Sequence, residues 1–267
     1  MGATAKANAN LLLKKYCITK PEELDLEKIA NAENLIVEEG RLDSHHGRII
    51  YSENHGLIKI KQDIKETSQK RFITAHEMGH YFNEGVHPLT GEKRKNNYGV
   101  RGCTQRDLNF YGGFTNFEAK ANVFASELLM PKEWFLKFTG RKQINIKLLQ
   151  DVTEYFGVSI TAAAFKYAET GAFPIAVIMS TDGVVKWSRI NEYFPFKFIP
   201  KGYKVNDSSV AYDYYAGETV DPEPDLVLPD AWFLEDYEYE RKHNLYMYEH
   251  NVVMSSYNSV LTLLWES

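Results

Sequence analysis

The chain has only two cysteines in its 267 residues, Cys17 and Cys103, and they are far from a CxxC arrangement. That excludes a disulfide framework and a Cys-rich structural zinc site, and it fits a reducing compartment. No apolar run approaches the roughly 20 residues that a membrane-spanning helix needs. The start, Met-Gly-Ala-Thr-Ala-Lys-Ala-Asn, lacks the basic-then-apolar pattern of a signal peptide. It also has Lys6 where myristoylation prefers Ser or Thr. A cytoplasmic protein is therefore expected. Basic charge is not in excess: 31 Lys and Arg face 36 Asp and Glu, a net charge of −5, which argues against a general nucleic-acid binder. Internal repeats and low-complexity tracts are missing too. A hydrophobic fraction of 44% and this length leave room for one large domain or two modest ones, each with a core.

What is present is concentrated in Phe72-Ile-Thr-Ala-His-Glu-Met-Gly-His-Tyr-Phe82. On a helix, residues four apart lie one above the other, so His76 and His80 share a face and can hold one metal ion. Glu77, one step round, can face a water at that ion as general base. Phe72, Ala75, Gly79 and Phe82 form the stripe of a helix packed on a core, with the histidines on the neighbouring face. Gly79 costs about 1 kcal/mol of helix propensity, which predicts that something packs close beside it.

Structural zinc sites close with four protein ligands, whereas catalytic ones keep three and an open position. The best third ligand is Glu118, in Phe117-Glu-Ala-Lys-Ala-Asn-Val-Phe-Ala-Ser-Glu-Leu-Leu-Met-Pro131. This segment reads as a second helix with Phe117, Ala121, Phe124 and Leu128 as its apolar stripe and Pro131 at its end. Asn122, one turn from Glu118, could steady that carboxylate or a backbone group from behind. Glu127 is the competing ligand, but its face predicts a surface charge.

Together, His76-Glu-Met-Gly-His80 and Glu118-x-x-Ala-Asn-x-Phe-Ala-x-x-Leu-Leu-Met-Pro131 resemble the ImmA/IrrE family of bacterial and phage metallopeptidases, over about residues 10 to 170. The resemblance implies His76, His80 and Glu118 as zinc ligands and Glu77 as general base. It implies one Zn²⁺ per chain; a His2Glu set can also hold Mn²⁺ or cobalt. It further implies an endopeptidase that cleaves a helix-turn-helix repressor and thereby derepresses its genes. The zinc would polarise the peptide carbonyl and activate a water. A His or Tyr is expected to hold the oxyanion, and His87, Tyr98 and Tyr111 are the candidates. Cys103 could close the open position as a latency ligand, although a free thiol is the simpler reading.

The expected fold class is α+β in three parts: a zinc-peptidase domain of helices and a small sheet (1–139), a helical segment resembling a helix-turn-helix (140–171), and a β-rich C-terminal part (172–267), GAF-like or accessory. Ala5 to Tyr16 and Pro21 to Asn31 read as helices; Leu35 to Glu39, Gly47 to Ser52 and Leu57 to Lys61 read as strands, with Glu53-Asn-His-Gly56 as a hairpin turn. The glycine-rich stretch from Asn83 to Asn116, with its run Lys93-Arg94-Lys95, reads as loop. Helices are expected over Ile146 to Phe156 and Ile160 to Glu169. The second of these carries one Lys and one Glu, so the pair is read as structural. Ser180-Thr-Asp-Gly183 is a hairpin signal between Ile175 to Met179 and Val184 to Ile190. Val252 to Trp265 reads as further strands, and Asp221 to Glu240 as an acidic loop or lid. His45, His46 and His55 read as loop histidines. The competing functions are a non-catalytic regulator that binds a partner or DNA, which the intact Glu77 counts against, and the toxin of a toxin–antitoxin pair.

Overall fold

The structure is a computed structural model that describes residues 2–52, 55–93, 99–104, 107, 116–140, 142, 144–171, 173–233 and 246–267. The chain is α+β with two sheets, and it divides into two compact units. The first comprises Met1–Phe138 with Val152–Ser159, the second Thr139–Asp151 with Ile160–Ser267. Among the described residues no helix is long and apolar enough to cross a membrane.

The first unit opens with α1 (Gly2–Lys15), a 3-10 turn (Pro21–Glu23) and α2 (Leu26–Ala32). One helix was expected from Pro21 to Asn31, but Leu24 is extended and Asp25 restarts the chain as an N-cap, accepting the Lys28 N–H at 3.0 Å. Strands β1 (Leu35–Gly40), β2 (Gly47–Tyr51), β3 (Gly56–Lys61) and β4 (Gly99–Cys103) form a sheet of order β1-β3-β2-β4. β1 runs parallel to β3, and the other two pairings are antiparallel. The first three strands fall where hydrophobic alternation put them, although the turn residues 53 and 54 lie outside the described residues.

β4 corrects the reading of Asn83 to Asn116 as loop. Its glycines hide the strand pattern while permitting the strand: a Cβ on Gly99 would lie 2.8 Å from the Tyr51 hydroxyl, and one on Gly102 would lie 2.7 Å from the His45 ring. Helix α3 (Thr67–His80) packs on the inward face of this sheet and against α4 (Asn116–Leu129). A Cβ on Gly79 would stand 3.0 Å from the Ala121 Cα, so the small residue lets the two helix backbones meet there. Ala121, Phe124 and Leu128 are buried, as the stripe requires, while Phe117 is exposed. Helix α5 (Lys132–Thr139) follows, and its Phe135 and Phe138 pack on Tyr155 and Phe156 of the same unit.

Helices α6 (Ile146–Phe156) and α7 (Ile160–Thr170) fall where the pattern placed them. The second unit builds a five-stranded antiparallel sheet, β6-β5-β9-β8-β7, from β5 (Ala176–Thr181), β6 (Val184–Ile190), β7 (Asp225–Val227), β8 (Met247–Met254) and β9 (Ser259–Glu266). The β5–β6 turn has positive φ at both Asp182 (52°) and Gly183 (70°), the backbone that a two-residue hairpin asks for. Two features were not expected: α8 (Val210–Ala216), and a core contribution from the acidic stretch after Asp221. Val227, Ala231, Trp232 and Phe233 of that stretch are buried with Phe194, Phe196 and Val260. Residues 234–240 lie outside the described residues. Buried Glu249 organises this core by accepting from the Ala211 N–H (2.7 Å), Trp232 Nε1 (2.8 Å) and Asn251 Nδ2 (2.9 Å).

Candidate metal centre

α3 is buried along its whole last two turns, from Ile73 to His80, because the sheet covers one side and α4 the other. His76, Glu77 and His80 are therefore fully enclosed, more deeply than a face merely bordering the core would be. The close α3–α4 approach at Gly79 brings Glu118 over the two rings. His76 Nε2 lies 3.1 Å from Glu118 Oε2 and 3.2 Å from His80 Nε2, and His80 Nε2 lies 3.4 Å from the same carboxylate oxygen.

The other ring nitrogens fix what those three atoms are. Asn122 holds a backbone group and His76 rather than the Glu118 carboxylate: its Nδ2 donates to the Asp107 carbonyl at 2.8 Å, which turns its Oδ1 towards His76 Nδ1, also at 2.8 Å. His80 Nδ1 faces Glu84 Oε1 at 3.1 Å. Both Nδ1 atoms thus carry protons and donate, which leaves both Nε2 lone pairs pointing at Glu118. Three electron-pair donors crowded together repel unless a cation lies among them. Their separations match the roughly 3.3 Å edge of a tetrahedron whose ligands lie about 2.05 Å from a zinc ion. The residues present fit such an ion.

A proton would also meet that need. Burial opposes charge on His80, but its hydrogen bonds to Glu118 and Glu84 outweigh that and push its pKa up to about 9. Burial would raise Glu118, but its hydrogen bonds with His76 and His80 hold it down at about 2. Glu77 differs from both. Burial raises its pKa against the charge of the two imidazoles, and neither carboxylate oxygen meets hydrogen-bond geometry with any described group, although the Cys103 thiol beside it has a small lowering effect.

Sequence reasoning did not find Glu84 or Arg101. Glu84 lies four residues after His80, the same spacing that relates the two histidines, in a π-helical turn over Tyr81–Gly85. Arg101 of β4 donates to Glu84 Oε2 at 2.7 Å and stacks on Phe117, its guanidinium 5.4 Å from the ring centroid. Glu127 is corrected: it is buried, not a surface charge, accepting from Asn10 Nδ2 at 3.3 Å and from the Lys132 N–H at 3.1 Å, so it caps α5. His87 Nδ1 accepts from the Thr90 N–H at 3.3 Å within its own turn, and Tyr98 and Tyr111 lie outside the described residues. Among the described residues, the candidate metal groups are His76–His80–Glu118 and His76–Glu77–Cys103, and neither involves His45, His46 or His55.

Two helix-borne imidazoles, a carboxylate from a second helix and a further buried carboxylate one residue from the first histidine make a donor set that could hold a metal ion. The profile of the Peptidase_M78 family, described as the IrrE N-terminal-like domain, matches residues 30–167, about half of the chain and all of this centre; the chain belongs to that family. No curated protein matches it. A solved structure of a Mycobacterium tuberculosis transcriptional regulator has a similar fold, with a TM-score of 0.59 at 13% identity over 99% of this chain and 77% of that one.

Proposed function

We propose that the protein is a zinc endopeptidase that hydrolyses a specific cytoplasmic protein, a helix-turn-helix repressor. The observation that carries this reading is the convergence of three electron-pair donors beside an enclosed, unpartnered carboxylate. His76, His80 and Glu118 would hold the ion, with Mn²⁺ as an alternative occupant. When bound, such a cation supplies Lewis-acid polarisation of a peptide carbonyl and acidifies a coordinated water.

The chain's own groups would do the rest. Asn122 and Glu84 orient the two imidazoles through their Nδ1 protons. Glu77 takes the proton from the attacking water and passes it to the leaving amine, and its burial suits a base that must also give its proton back. β4 pairs with β2 along one edge only, and no described residue pairs with its other edge. An extended substrate segment could join that edge by main-chain hydrogen bonds and lie across the centre. In this reading residues 1–139 hold the chemistry, 140–171 form a helical link, and 172–267 form an accessory or GAF-like part that meets the substrate or a signal.

The test is bound metal on purified wild type, His80→Ala, Glu118→Ala and Glu77→Gln. Near-stoichiometric zinc is expected in wild type and Glu77→Gln and should be lost in both ligand variants. Wild type that takes up no zinc from metal-replete medium would refute the reading.

A further inference from the structure

Glu77 is poorly supported for a carboxylate. It is fully enclosed, and no nitrogen or oxygen donor among the described residues reaches either carboxylate oxygen. The terminal torsion of a Glu side chain is soft, so an unheld carboxylate would rotate. A base that must take a proton from one direction needs to be aimed.

The sheet places a candidate beside it. Cys103 ends β4 on the inward face and is fully buried, with Sγ within 4.8 Å of ligand atoms of both Glu77 and His76. Its partner in the β2–β4 register is Gly47. A Cβ on Gly47 would fall 2.4 Å from Ile73 Cγ2, 2.7 Å from Glu77 Oε1 and 3.0 Å from Cys103 Sγ. The space that a side chain would occupy at position 47 is bordered by both the carboxylate and the thiol.

We propose that Cys103 is a positioning residue for Glu77, its S–H donating to one carboxylate oxygen so that the other faces the metal centre. A thiol is a weak donor and keeps its proton, so it holds the base without neutralising it. Gly47 belongs to the same device, because any side chain there would displace one group or the other. This assignment gives the buried cysteine a different role from a latency ligand, which would place sulfur on the metal. It deepens the peptidase reading and rests on it.

The experiment uses the full chain loaded with Co²⁺, as wild type, Cys103→Ser, Cys103→Ala, Gly47→Ala and Glu77→Gln. Three quantities are read: bound cobalt, near-ultraviolet sulfur-to-cobalt charge transfer, and acetohydroxamate affinity from the visible cobalt bands. A hydroxamic acid binds as its anion and hands its proton to a nearby base, so its affinity reports the aim of Glu77 without any peptide substrate. All five proteins are expected to bind cobalt equally, with no charge-transfer band. Acetohydroxamate should weaken roughly three- to tenfold in Cys103→Ala, the size of one modest hydrogen bond. It should fall further in Glu77→Gln and return to within about twofold of wild type in Cys103→Ser. If Cys103→Ala fails to fold, Gly47→Ala asks the same question, with cobalt retained and acetohydroxamate weakened. Wild-type acetohydroxamate affinity in whichever of these two folds would overturn the proposal, as would a charge-transfer band in wild type that Cys103→Ala removes. Wild type that binds no cobalt would instead remove the peptidase reading itself.

Discussion

Glu84→Ala is the perturbation that most directly tests the network behind the candidate metal centre. The Glu84 carboxylate accepts from His80 Nδ1 at 3.1 Å and from Arg101 Nη2 at 2.7 Å. Burial pushes its pKa up, but the hydrogen bonds and charge of His80 and Arg101 hold it below the ordinary carboxylate value. Its loss leaves the His80 ring free to turn, makes His80 Nε2 a poorer donor, and removes the counter-charge of Arg101. One charge-assisted hydrogen bond contributes about 1.5–3 kcal/mol, which at about 1.4 kcal/mol per decade is roughly 10- to 100-fold in affinity. Loss of such a supporting partner typically weakens metal binding by about the same 10–100-fold. Glu84→Gln, which keeps an acceptor but turns an amide towards Arg101, should fall between the two, roughly three- to tenfold weaker than wild type. The assay is competition for zinc against a chromophoric chelator, with thermal unfolding of the metal-free proteins run alongside. Wild-type zinc affinity in Glu84→Ala together with a large loss of metal-free stability would refute the reasoning. Glu84 would then be a brace between the π-helical turn and β4 and nothing more.

Gly79→Ala should destabilise the protein by about 1 kcal/mol or more in denaturant unfolding, because overpacking costs of about 1–3 kcal/mol exceed the helix-propensity gain; the added methyl meets the Ala121 backbone, which cannot step aside. Glu249→Leu strands three buried donors, and its unfolding free energy should drop by about 3 kcal/mol or more. Burial holds the Glu249 pKa above its ordinary value against those three hydrogen bonds. A raised folded-state pKa favours the fold below the unfolded value and loses that benefit as pH rises through the folded one. Wild type should therefore gain stability relative to Glu249→Gln as pH falls from 7 towards about 4.5, and a pH-independent difference would refute this. Gly183→Val forces a branched residue into a left-handed turn, and chemical unfolding should show a loss of about 1–2 kcal/mol.

The sequence was most readable where spacing alone fixes geometry. His76, His80 and Glu118 come together because i, i+4 positions share a helix face and because Gly79 lets two helices meet. The Asp182-Gly183 turn and the first three strands were readable for the same local reasons. Elsewhere tertiary contacts overrode local signals. β4 is strand because its backbone pairs with β2, and the glycines that imitate a loop stand where Tyr51 and His45 leave no room for side chains. Glu127 carries a charge that the sequence assigns to the surface, but a backbone N–H of the next helix and Asn10 hold it inside. Glu84 was present at a legible spacing, but only the position of Arg101 shows what it does.

Residues 152–159 belong to the first unit, although they follow a stretch, 139–151, that belongs to the second. The two units are interleaved along the chain, so no single peptide bond separates them. A fragment ending at residue 139 would keep every candidate ligand but strip Phe135 and Phe138 of Tyr155 and Phe156, the rings they pack against. It would present a fresh aromatic surface to water and invite aggregation. Limited proteolysis that trims the second unit should therefore leave a stable core only when cleavage falls beyond residue 159.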